Sequence, residues 1–194
     1  MSDQFVASID WHHELLDQLD FYWNHMFWPR LQGLTDEEYF WEPVAGCWSV
    51  RPAGDGTFTI DWAHPEPDPP PVTTIAWRLC HIGSGVLGIR ASNHFGDGSL
   101  SFDTITWPGT AADALAFVAA QHRAWRNGVV ALGNAGLARK CGPAEGPFSE
   151  DPLATLILHI HREVFHHAGE IALLRDLYRD GFESRASGFG RREG

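Results

Sequence analysis

Apolar residues recur at three- and four-residue steps over four stretches of the chain, and each stretch predicts an amphipathic helix. The first covers residues 10–34, where Leu15, Leu16, Leu19, Trp23, Met26, Phe27 and Leu31 fall in register. Pro29 lies inside it and is expected to kink or interrupt it, because proline lacks the amide N–H and crowds the preceding turn. Gly33 suits a terminus, and Thr35 with Glu38 three residues later predicts a capping box that opens a short new helix. The second long helix is expected from Val72 or Thr73 to His94, with Ile75, Leu79, Ile82, Val86, Leu87 and Ile89 on its face. Gly83, Gly85 and Gly88 each weaken it by roughly 1 kcal/mol against alanine. Packing must offset that cost, and the missing side chains permit close approach of another helix. The third helix runs from Ala111 to Leu132 behind Thr110, a good N-cap. The fourth opens near Asp151 and Pro152, an acidic cap followed by proline in the first turn, and continues to Tyr178.

The connections are long. Residues 41–71 carry no sustained helical period, and within them GTFTIDW, residues 56–62, alternates enough for a short strand or hairpin arm. A loop of that length in a compact domain is uncommon and often functional, and this one is expected to cover one end of the bundle. Residues 93–108 and 133–150 are further loops rich in turn-forming residues. Few strand signals, no internal repeat and no heptad seam make the expected fold all-α, a four-helix bundle with long decorated loops. A single domain is expected over residues 1–180, followed by a polar tail over 181–194. All three connections exceed the short loops of simple bundles, so loop length does not set the order of the helices.

Composition sharpens this picture in two ways. Nine tryptophans and twelve phenylalanines in 194 residues predict a core rich in rings. A formal net charge of −11 repels phosphate backbones and anionic lipid, and no Lys/Arg run overrides it, so neither nucleic acid nor membrane is expected as a partner. No apolar run reaches the ~18 residues of a membrane span, and no basic-then-apolar leader is visible, which makes a cytoplasmic protein the expectation. Cys47, Cys80 and Cys141 are odd in number and far apart, and suggest neither a disulfide framework nor a thiolate zinc site. Cys80 stands beside His81, but neighbouring side chains on a helix diverge by about 100°, and a buried inert thiol is expected.

The densest chemical signal lies on the fourth helix, where His159, His161, His166 and His167 fall within nine residues around Glu163. Relative to Glu163, a helical step of about 100° puts His167 at about 40°, Glu170 at about −20°, His159 at about −40° and His166 at about −60°. Glu163 and His167 therefore project together, one turn apart, where both can reach one ion. His159 shares the face but stands about 12 Å along the axis from His167, too far for the same ion. His161, at about 160°, is expected at the surface. Catalytic zinc-type sites usually have three protein ligands and an open position. His81, in the middle of the second helix, is the natural third, with Trp77 and Gly85 on its face. His12, His13, His25 and His122 are competitors in principle. A Glu–His pair at this spacing also occurs as a surface pair, and a buried histidine as a core residue, so the residues alone leave metal binding open. Zinc, nickel and iron all suit N/O ligands.

Three segments in order resemble one family. GLTDEEYFWEPVAGCWSV (residues 33–50), TTIAWRLCHIG (residues 73–83) and HREVFHHAGEIALLRDLY (residues 161–178) are similar to the DinB/YfiT-like superfamily of metal-binding four-helix proteins. The resemblance implies an up-down-down-up bundle, frequently a homodimer, with a divalent metal held by His81, Glu163 and His167. Most members have a histidine where this chain has Glu163. That departure resembles the mycothiol-dependent, maleylpyruvate isomerase-like branch, in which a His-Glu-His set holds zinc. It implies an S-transferase or isomerase that joins a low-molecular-weight thiol, of the mycothiol or bacillithiol type, to a small electrophile. A metal-dependent hydrolase and a non-catalytic metal- or ligand-binding module are the alternatives. Glu170 is either a residue that orients a ligand or a solvated acid.

Overall fold

The computed structural model describes residues 9–181, and the polar tail expected beyond Gly181 lies outside them. Four long helical arms make up most of the described chain, and its β-structure amounts to one short hairpin and isolated bridges, so the all-α expectation holds at the level of class. The first arm is α1 (Trp11–Phe21), capped by Asp10, whose carboxylate accepts from the His13 amide at 3.1 Å. The α-helical pattern is interrupted ahead of Pro29, as expected. It loosens into a π segment over Tyr22–Phe27 and tightens into a 3-10 turn over Trp28–Leu31, which accommodates the proline ring while keeping the chain helical.

The predicted capping box is half made. Thr35 accepts from the Glu38 amide at the start of α2 (Asp36–Tyr39). The Glu38 carboxylate does not return to Thr35; it takes Arg175 in a bidentate pair at 2.7 and 3.0 Å, because it is buried and a distant guanidinium satisfies both its oxygens. The long connection that follows contains an antiparallel hairpin, β1 (Val50–Pro52) with β2 (Phe58–Ile60), in the register Val50–Ile60 and Pro52–Phe58. Arg51 ties it together by donating to Asp61, Glu42 and the Cys47 carbonyl.

The second arm is α3 (Ile75–His81), a π segment (Ile82–Gly88) and α4 (Ile89–Phe95). It starts later than expected, at Ile75, because Thr74 caps it by accepting from the Trp77 amide. The third arm, α5 (Ala111–Gly136), opens on Thr110 as predicted and breaks at Gly133, whose φ is 63°. The fourth, α6 (Leu153–Arg179), differs at its start. Pro152 occupies the N-cap and makes no side-chain cap, and the first amides go instead to the Arg139 and Leu137 carbonyls at 2.7 and 3.0 Å.

α5 packs along the second arm, and α6 packs on the second and first arms. Trp125, Tyr39, Phe27, Leu79, Ile82, Leu87, Ile157 and Ile160 are fully buried between them. The ring-rich core is only part of the aromatic content, since Trp11, Trp62, Phe21, Phe102 and Phe148 stand exposed. The glycines of the second arm do allow close approach: a Cβ at Gly83 would stand 2.5 Å from the Phe117 ring of α5, and one at Gly88 would stand 2.6 Å from the Gly83 carbonyl oxygen.

Two alanine substitutions should therefore move stability in opposite directions. Gly88→Ala meets backbone, which cannot swing aside, and is expected to destabilise by about 1–3 kcal/mol despite alanine's helix propensity. Gly169→Ala, inside α6 with nothing within 4 Å of the added methyl, should stabilise by roughly 0.5–1 kcal/mol. Urea denaturation of both variants reads the signs, and a stabilised Gly88→Ala would show that the π segment relaxes around the methyl group.

Candidate metal centre

His81 closes α3 and faces α6, where Glu163 and His167 are one turn apart. One donor atom from each of the three lies within 4.8 Å of the other two. His167 Nε2 is 3.7 Å from Glu163 Oε2, and the rings of His81 and His167 meet edge to face with centroids 4.8 Å apart. Donors about 2.1 Å from a tetrahedral ion stand about 3.4 Å from one another, so a side-chain shift of the order of 1 Å would draw all three onto one ion. The donor chemistry fits a divalent zinc-type ion.

The surrounding groups prepare the histidines for that role. His167 Nδ1 is 2.7 Å from Glu170 Oε2, and the same carboxylate pairs with Arg78, whose side chain is 13% exposed. With Nδ1 protonated toward Glu170, the lone pair of His167 is left on Nε2, on the Glu163 side. Glu170 is therefore no free solvated acid. Trp77 stacks on His81 at 4.9 Å and 13°, and Trp77 is anchored by its indole N–H donating to the Asp61 carbonyl at 2.8 Å. Burial pushes the His81 imidazole down to about 4, with Glu163 opposing and Arg90 and Arg78 adding repulsion. Burial likewise lowers His167 to about 3, helped by His81, Arg78 and His166. Both rings are neutral at ordinary pH, the form that offers a lone pair to a metal.

The remaining histidines sort cleanly. His159 sits at the flank, its Nδ1 2.6 Å from Arg162 and 3.8 Å from Glu163. His166 is exposed, 3.3 Å from Glu170 Oε1; with His167 and Glu170 it forms a second close cluster. That set is weaker, because it competes with the Arg78–Glu170 pair and with the Nδ1 proton of His167. His12 bonds the Val129 carbonyl at 2.8 Å, His13 and His25 are exposed, and His122 stacks on Trp23, all away from the three donors. His161 is not at the surface: it is 4% exposed. The first arm covers that side of α6, with the Tyr22 hydroxyl donating to the Phe165 carbonyl, so the helix is buried on two faces and a single-face projection misplaces His161. Cys80 is buried as expected, 3.6 Å from the Tyr39 hydroxyl, and burial pushes its thiol up to about 12.

A cavity of about 280 Å³ opens on the cluster, walled by Trp62, His81, Arg90, Phe102, His159 and Glu163. Trp62 comes from the hairpin connection and Phe102 from the loop after α4; their rings lie 5.8 Å apart. Larger depressions between α4 and α5 and beside the hairpin contain no close set of three ligating groups among the described residues. Arg78, Arg90, Trp62 and Phe102 were not evident from the sequence as parts of the site. Arg78 had a signal, since it lies three residues before His81 on a neighbouring helical position. Arg90 had none. In an unbroken α-helix it would point about 180° from His81, whereas the extra residue held in the π segment turns it back by about 100°.

Among the described residues no helix is long and apolar enough to cross a membrane. Neither a curated protein nor a solved structure matches the chain. The sequence model of the DinB superfamily matches residues 18–171, a span that takes in His81, Glu163 and His167 and reaches from the first arm into α6. The chain belongs to the DinB superfamily.

Proposed function

We propose that His81, Glu163 and His167 hold one divalent ion, zinc first and nickel or iron by the same donor preference, and that the protein is a thiol-dependent S-transferase or isomerase. The observation that carries this reading is the convergence of the three donors with Glu170 and Arg78 bonded behind His167. The family supports it, and the position of Glu163 favours the mycothiol-dependent branch. The co-substrate is then a low-molecular-weight thiol of the mycothiol or bacillithiol type, and the other reactant a small electrophile. The up-down-down-up order of the arms, a homodimer and a cytoplasmic location belong to the same reading. The dimer is supported by exposed apolar side chains on the first arm, Trp11, Phe21 and Met26.

The protein's groups have separable tasks. A bound divalent ion would lower the pKa of a thiol and supply the thiolate that attacks. Glu170 holds the His167 proton at Nδ1, and Arg78 pairs with the same carboxylate and fixes its position. Trp77 fixes the plane of the His81 ring. Trp62 and Phe102 provide an apolar wall that can take the carbon skeleton of the electrophile. In a transfer, the thiol proton leaves to solvent and sulfur bonds the electrophilic carbon as that carbon's bond to its leaving group breaks with the electron pair; in an isomerisation, sulfur adds to a carbon–carbon double bond, its π pair moves to the adjacent carbonyl-bearing carbon, and after rotation the pair returns and expels the sulfur. Glu163 places a carboxylate where most relatives have an imidazole, so a divalent ion there keeps one net positive charge rather than two. Water activation suffers more from that loss than thiol activation, because water is much harder to deprotonate.

Four outcomes test the reading. Metal content after purification should survive in Glu163→His and fall sharply in Glu163→Leu and His81→Ala. Glu170→Gln should weaken metal affinity by about 10–100-fold, while His166→Ala should leave it unchanged. Loss of metal with His166→Ala and retention with His81→Ala would move the site to the second cluster. Metal-loaded protein should accelerate conjugation of mycothiol or bacillithiol to a reactive electrophile, lose the rate on chelation and regain it with zinc. Absence of turnover across several thiols and electrophiles, with metal bound, would favour the non-catalytic module. Light scattering at micromolar concentration should return twice the chain mass, and a monomeric mass would remove the homodimer.

A further inference from the structure

We infer that the depression beside the hairpin is a binding site for a small organic ammonium ion, held by ring faces and by the Asp103 carboxylate. The inference is separate from the metal-centre reading and uses none of its donors.

The depression, of about 810 Å³, lies between β2 and the start of α5, with the loop after α4 as its third side. Thr57, Phe102, Asp103 and Thr106 in its lining are exposed, so a ligand reaches it directly. Four aromatic side chains wall it: Phe58, Phe102, Trp107 and Phe117. Phe102 and Trp107 stand 5.9 Å apart with their planes at 31°, and Phe102 is 44% exposed. The other two rings are set by glycines. Phe58 lies over Gly109, where a Cβ would stand 2.1 Å from the ring, and Phe117 lies over Gly83 in the same way. These contacts place the rings before a ligand arrives, which lowers the ordering cost of binding.

The charge around the rings has one sign. Asp103 and Asp113 are the ionisable side chains of the lining, which contains no Lys, Arg or His. The cavity at the metal centre and the depression between α4 and α5 have Arg90 and Arg139 in their walls. Asp113 is partly answered, since the Thr110 hydroxyl donates to its Oδ2 at 2.8 Å and the first turn of α5 favours a negative charge there. Asp103 has no hydrogen-bond or ion-pair partner among the described residues. A free carboxylate beside exposed ring faces attracts a cation twice, by its own charge and by the negative face of each ring. A metal ion is a poor fit, because the rings offer it no lone pair and the two carboxylates belong to no close set of three ligating groups. An alkylated ammonium fits, since its charge is spread over carbon groups that can lie against the rings.

Choline and its uncharged carbon isostere, in which a tert-butyl group replaces trimethylammonium, share a shape and differ in charge. Titrated by proton NMR into the full-length protein at constant ionic strength, choline should bind about tenfold more tightly, its methyl signal moving upfield as it meets the ring faces. Asp103→Asn should weaken choline about fivefold and leave the isostere unchanged. Phe102→Leu should weaken choline about threefold. Both side chains are exposed, so both variants are expected to fold. The preference for choline should shrink as salt is raised. Equal binding of the two probes, or choline binding that neither variant alters, would overturn the proposal. Chelating the metal should change none of these results, so failure of choline binding and failure of the metal or thiol assays are separate outcomes.

Discussion

The arrangement of the site depends on one link between two arms, the Arg78–Glu170 pair that joins α3 to α6. His81 and His167 come from helices that meet side by side, and their facing is only as good as the relative rotation of those helices. Arg78 lies one turn before His81 and Glu170 one turn after His167, so the ion pair sets that rotation next to the donors. Glu170 also takes the His167 ring, which means the contact that registers the helices also selects the tautomer. Breaking a largely buried pair by removing one partner leaves an uncompensated charge, a cost of about 3–5 kcal/mol. Stability and ligand geometry are thus coupled through the same atoms.

The long connections are organised around the same place. Asp61 accepts from the Ser49 amide and from Arg51 through its carboxylate, and from the Trp77 indole through its carbonyl. That single residue ties the hairpin to α3 just before His81. The outcome is a tier of rings, Trp48, Trp62 and Trp77, stacked behind and beside the imidazole. Three of the nine tryptophans therefore gather beside the site, where Trp62 lines the cavity, and the central core is filled mainly by aliphatic residues with a few large rings.

Most of the helical framework was legible in the sequence because it rests on local periodicity and caps: Thr110 opens α5, and Glu163 and His167 share a face by spacing alone. His81 was legible as a third candidate because a histidine in mid-helix needs a polar partner. What escaped has a common cause, namely groups satisfied by a distant part of the chain. Glu38 leaves its own cap for Arg175; the first amides of α6 bond the Arg139 and Leu137 carbonyls, so Asp151 is not needed there; and His161 is buried because the first arm crosses its face. Local spacing carries no record of such partners.

The π segment following His81 gives chain length a meaning here that it lacks in most helices. Surface loops absorb an inserted or deleted residue with little consequence. A deletion within Ile82–Gly88 would instead convert the segment to ordinary α-helix and swing every side chain after it by about 100°. Arg90 would leave the cavity while His81 stayed, and the facing of α4 against α5, where Phe95 lies over Gly128, would be lost as well. The spacing of nine residues from His81 to Arg90 is accordingly a quantity that descent can preserve or erase in a single indel. Chains of this kind should divide into those that keep the count and those that do not, whatever residues fill it.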